Sequence, residues 1–138
     1  MKVVLDLNIL LDVIQKREPF YASSASVLQL AVEEQILAIV PTHLLTTLYY
    51  ITAKYSSKNQ ADLLVDWILS NMSLGMETKD IFLRARGLQL PDFEDAVVAG
   101  VAEAERCQYI MTRNVKDFRD SPVQALTPEE FLVYFSFS

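Results

Sequence analysis

An aspartate closes the first apolar run of the chain, Val3-Val4-Leu5-Asp6-Leu7-Asn8, and more acids gather far downstream. Asp92, Glu94 and Asp95 fall within four consecutive positions, and Asn114 and Asp117 share a later segment. Singly, each has a plain structural use. Asp6 and Asn8 can end a strand and cap a helix, and acids in a first helical turn offset its dipole by up to about 1 kcal/mol each. Together they permit chemistry. Carboxylates converging from three segments repel one another, and a hard divalent cation relieves that repulsion through oxygen ligands. Mg²⁺ or Mn²⁺ suits such a set. With one His and one Cys in the chain, zinc does not. A carboxylate-held cation that keeps its waters can activate one of them and neutralise charge on a phosphate.

These residues can meet only if the elements carrying them end at one edge. Residues 3–6 read as a buried strand, and Leu7, Leu10, Leu11 and Ile14 then follow helical spacing. Residues 22–34 read as a helix. Residues 36–40 read as a second strand stopped by Pro41, with Thr42 as N-cap of the next helix. That helix ends near Ser56. Another over 59–71 turns Leu63, Leu64, Trp67 and Ile68 inward, with Trp67 as core packing. A short strand over 74–76 and a helix over 78–87 lead to a long helix over 93–106, opened by Pro91-Asp92. Residues 108–112 form a strand with a loop over 113–118 at its carboxyl end, and residues 123–126 a last short strand. Thr127-Pro128-Glu129-Glu130 then signals a helix start by capping box and first-turn proline. Alternating strands and helices predict an α/β three-layer sandwich around a mostly parallel sheet, as a single domain over residues 1–138. In such a sheet the strand ends bearing Asp6, Asn114 and Asp117 lie on the edge where ligands bind.

The totals narrow the classes. A net charge of −6 argues against nucleic-acid binding through bulk charge. A local basic rim stays compatible with it: Arg113 and Lys116, with Arg84, Arg86 and Arg119, can contact a phosphate backbone. Cys107 has no partner for an internal disulfide and suits core packing in an intracellular, cytoplasmic protein. No membrane span is expected, because no apolar run approaches the roughly 20 residues one needs. The three glycines are scattered, which excludes a P-loop or dinucleotide fingerprint.

The segments Val4-Leu5-Asp6-Leu7-Asn8-Ile9-Leu10-Leu11-Asp12, Leu48-Tyr49-Tyr50-Ile51, Asp92-Phe93-Glu94-Asp95-Ala96 and Thr112-Arg113-Asn114-Val115-Lys116-Asp117-Phe118 resemble, in order, the motifs of PIN-domain nucleases. The resemblance spans nearly the whole chain. It implies a PIN fold and Mg²⁺- or Mn²⁺-dependent cleavage of RNA, with small members often VapC-like toxins paired with an antitoxin. It also implies that Asp6, Asp95 and Asp117 hold the metal and act in catalysis. Asn8, Asn114, Asp92 and Glu94 would support them. Where the family typically has Glu before Leu-Tyr-Tyr, this chain has Thr47, a poor ligand for Mg²⁺. The alternative is therefore a non-catalytic PIN-fold module that binds RNA or protein. His43, one turn before Thr47, is read as a surface or cap residue that can also face the site. An aspartyl-nucleophile phosphatase is a more distant rival, because Asp6-Leu7-Asn8 lacks its second Asp. The aromatic tail of Phe131, Tyr134, Phe135 and Phe137 can cover the core or join two subunits of a homodimer.

Overall fold

A computed structural model describes residues 1–136. Five strands form one wholly parallel sheet: β1 (Lys2–Leu5), β2 (Leu37–Pro41), β3 (Ser73–Gly75), β4 (Tyr109–Met111) and β5 (Gln124–Leu126), in the order β3-β2-β1-β4-β5. β1 is central and buried on both faces, which explains its unbroken apolar run. Its side chains alternate between two cores. Val3 and Leu5 pack with α1 (Leu7–Ile14), α2 (Tyr21–Val32), α3 (Thr42–Tyr55), α4 (Lys58–Asn71) and α7 (Pro128–Ser136). Val4 packs on the other face with α5 (Lys79–Gly87) and α6 (Phe93–Ala104). The three-layer sandwich expected from the strand–helix alternation is the observed fold.

Local chemistry explains several boundaries. Thr127 and Glu130 form the expected capping box: Glu130 N–H donates to Thr127 Oγ1 at 3.1 Å, and Thr127 N–H to Glu130 Oε1 at 3.0 Å. At Gly75 an added Cβ would collide with Val101 Cγ1, so glycine lets α6 sit close on β3.

Three expectations need correction. Pro41 lies inside β2 and is the residue before α3, while Thr42 is the first helical residue and does not cap that start with its side chain. A proline is tolerated at a strand end because one missing donor there costs little. Leu63 is 55% exposed and Trp67 is 37% exposed, so neither is core. α4 rests on α3 through Ala61, Leu64 and Ile68, and one apolar face suffices for an outer helix. Residues 113–118 are not a plain loop, since Val115–Phe118 forms a 3-10 turn that buries Phe118. Of the aromatic tail, Phe131 is fully buried, Phe135 stacks on it and Tyr134 is exposed; Phe137 lies outside the described residues. Cys107 is buried, and burial pushes its thiol up to about 11. Among the described residues no helix is long and apolar enough to cross a membrane.

Candidate metal centre

Asp6 is the first residue beyond β1, and it serves two neighbours at once. Its Oδ1 accepts from Leu7 N–H at 2.8 Å, which caps α1. Its Oδ2 accepts from the Thr112 hydroxyl at 2.9 Å and more distantly from Asn8 Nδ2 at 3.5 Å. The Asp6 N–H continues the ladder onto Met111 O at 2.9 Å. The carboxylate is thus tied to the two central strands, and only 5% of the residue is exposed.

α6 brings the next acids. Asp92 caps it by accepting from Asp95 N–H at 3.0 Å, and this fixes Glu94 and Asp95 in the first turn. Carboxylate oxygens of Asp6, Glu94 and Asp95 all lie within 4.8 Å of one another. The electrostatic consequence is large. Burial, then Asp6, Asp92, Glu94 and Asp117, push the Asp95 carboxyl from 3.8 up to about 7. Burial also raises Asp6 and Glu94, with His43 opposing the rise at both. Three crowded carboxylates whose protons are held this firmly form an all-oxygen donor set suited to a hard divalent cation.

The remaining sequence candidates occupy different places. Asp117, in the 3-10 turn, lies close enough to raise Asp95 but outside the group of three. Asn8 Oδ1 accepts from Arg113 N–H at 3.4 Å, and Asn114 N–H donates to Thr112 Oγ1 at 3.1 Å, so both fasten the segment after β4 to the Asp6 edge. The Arg113 side chain turns inward. Its Nε lies 3.0 Å from Asp12 Oδ2, and its guanidinium sits 4.3 Å from the Phe20 ring centroid. Lys116 lines a surface cavity of about 280 Å³ with Asp117, Arg119 and Asp120. The Thr47 hydroxyl donates back to His43 O at 3.1 Å and leaves no charge on that turn of α3.

Two groups escaped the sequence reading. Glu77, just after β3, holds His43 from two sides. Its carboxylate accepts from His43 N–H at 3.1 and 3.2 Å and pairs with ring Nδ1. His43 Nε2 is buried without a hydrogen-bond partner. The position of Glu77 at a strand's carboxyl end was the available signal. Asp12 is the other: it is fully buried, accepts from Ser24 Oγ at 3.1 Å and pairs with Arg113. Burial raises its carboxyl, and Arg113 opposes the rise.

Comparison with known proteins adds context. The sequence profile described as a PIN domain matches residues 2–116. No curated protein sequence matches the chain. Among solved structures, a chain of VapBC2 from Rickettsia felis bound to a promoter DNA fragment superposes with a TM-score of 0.71 at 21% identity, covering 92% of this chain and 98% of that one. A chain of VapBC-1 from nontypeable Haemophilus influenzae gives 0.69 at 15% identity, covering 94% and 99%. VapC20 of Mycobacterium tuberculosis, described as a sarcin–ricin loop cleaving toxin, gives 0.62 at 11% identity, covering 78% and 86%.

Proposed function

The chain belongs to the PIN-domain family, and from that premise we propose that it is a Mg²⁺- or Mn²⁺-dependent endoribonuclease, the toxin of a toxin–antitoxin pair. The observation that carries the reading is the convergence of Asp6, Glu94 and Asp95 within 4.8 Å, with the Asp95 carboxyl pushed up to about 7. These three would hold the cation, with Asp117 and Asn114 beside them. A bound divalent ion lowers the proton affinity of a water and offsets phosphate charge. The chain's own part is to fix the site. Thr112 and Leu7 N–H lock the Asp6 carboxylate, Asp92 sets the first turn of α6, and Asn8 ties down the segment that carries Asn114 and Asp117.

The antitoxin part of the reading draws on the VapBC complexes that the fold resembles. It is supported by a cavity of about 300 Å³ between α1, α2 and α4, lined by Leu10, Leu28, Leu64 and Trp67, which suits an apolar helix of a partner. A homodimer in the cytoplasm completes the proposal, and the exposed Phe82, Leu83 and Phe93 offer it an apolar face. Expression in a bacterial host tests the whole. Growth should stop, total RNA should show discrete new ends, and Asp6→Asn should abolish both effects. Arrest that persists in Asp6→Asn with intact RNA would overturn the nuclease reading.

A further inference from the structure

Two helices leave the acidic centre side by side on one face of the sheet, because α1 follows β1 and α3 follows the adjacent parallel β2. Each carries a stripe away from the centre. On α1 and its C-cap the stripe is Asn8, Leu11 and Gln15; on α3 it is Thr47, Tyr50 and Lys54. Both follow the i, i+3, i+7 spacing of one helix face. The α3 stripe begins one turn earlier at His43 and emerges gradually. His43 and Thr47 are half-buried, Tyr50 is 63% exposed, and Lys54 is exposed. Where the stripes reach the far end they border one open groove of about 700 Å³, shared by Leu11, Gln15, Tyr50, Lys54, Tyr55 and Arg17.

The chemistry of that groove is unusual for a chain of net charge −6. Lys54 Nζ lies 5.8 Å from the Tyr50 ring centroid and 5.4 Å from that of Tyr55, and Arg17 lines the same groove with its Nε donating to Gln15 Oε1 at 2.8 Å. Solvent-facing tyrosines beside lysine and arginine combine a stacking surface with backbone-neutralising charge, the pairing used to hold single-stranded nucleic acid. From His43 to Lys54 α3 rises about 16 Å, the length of about five stacked nucleotides.

We propose that the α1–α3 groove ending at Tyr50, Lys54, Tyr55 and Arg17 is the track along which a single strand of RNA runs from the acidic centre. The inference rests on the nuclease reading and adds where the strand lies beyond the cut. A strand held there gains affinity with length until it covers the tyrosines. A substrate too short to leave the centre gains nothing from them.

The test compares cleavage of single-stranded RNAs of 4 to 14 nucleotides by wild type and by the double variant Tyr50→Ala/Lys54→Ala, both checked for an unchanged thermal midpoint. In wild type, kcat/KM should climb about tenfold or more with length, mainly through KM. In the double variant the climb should fall below about threefold. An equal climb in both proteins overturns the track. An equal climb accompanied by a shift from dimer to monomer assigns the patch to a contact between two copies. Photocrosslinking of the same RNAs, carrying 5-iodouridine, separates the two readings. Crosslinks to Tyr50 or Tyr55 without any cleavage keep the track and refute the nuclease. Cleavage with crosslinks only elsewhere does the reverse.

Discussion

Replacing Asp95 by Asn should stabilise the metal-free protein, although it removes a residue at the heart of the site. The Asp95 carboxyl rises from 3.8 to about 7 because burial and four neighbouring acids disfavour its charge. Its folded value therefore exceeds its unfolded one, and the neutral form is the one the fold prefers. The resulting penalty is absent below about pH 4, grows as pH rises, and is complete above about pH 7. A shift of that size corresponds nominally to about 4 kcal/mol at 1.36 kcal/mol per unit. The side chain is only about half buried, so solvent screening reduces this to about 1–2 kcal/mol. Among the described residues the Asp95 carboxylate accepts no hydrogen bond, so the amide forfeits no contact there. In chelator at pH 8, Asp95→Asn should melt about 3–8 °C above wild type, and the gap should close near pH 4. Millimolar Mn²⁺ should reverse the order, because bound metal stabilises wild type by mass action, by about 2.7 kcal/mol at one hundred times Kd. Melts at both pH values with and without Mn²⁺ decide the matter. A variant that melts below wild type in chelator at pH 8 would refute the reasoning and make Asp95 a structural acid.

Other perturbations follow from the same contacts. Arg113→Met leaves Asp12 buried and unpaired, so urea denaturation should show a loss of about 3–5 kcal/mol, whatever happens to RNA affinity. Thr112→Val removes the hydroxyl that bridges Asp6 and Asn114; stability by the same assay should fall by about 1–3 kcal/mol, and calorimetry should show weaker Mn²⁺ binding. Thr47→Glu adds a charge one turn from His43, so it should lower the melting temperature in chelator and enlarge the Mn²⁺-induced rise; a loss in both conditions would mean that residue 47 faces apolar core.

Much of this arrangement was legible in the sequence because local rules agreed with the fold. The apolar run before Asp6 could only be a strand buried on both faces, and Thr127 to Glu130 carried a complete capping box. Asp92 and Asp95 were readable as one helix start for the same reason. What stayed hidden depends on contacts between distant segments. Nothing local links Glu77 to His43, or Arg113 to Asp12; those pairs exist because β3 lies beside β2 and because the segment after β4 folds back over α1. Arg113 illustrates the limit. Grouped with Lys116 and Arg119 in a basic rim it read as a contact for RNA, yet its side chain is committed to a buried acid. Trp67 shows the converse, since helical spacing gives a face but not the thickness of the layer outside it.

The most direct test of the central claim is a time course of RNA cleavage by protein stripped with chelator and then given Mn²⁺, run beside Asp6→Asn. The asparagine keeps the acceptor for Leu7 N–H but puts an amide NH₂ where Oδ2 accepts from Thr112, so an unchanged thermal midpoint of the variant is the control. The expected result is cleavage that appears only with Mn²⁺ in wild type and falls by at least about a hundredfold in Asp6→Asn. Cleavage that persists in chelator, or proceeds equally in Asp6→Asn, would contradict a metal centre built on Asp6, Glu94 and Asp95.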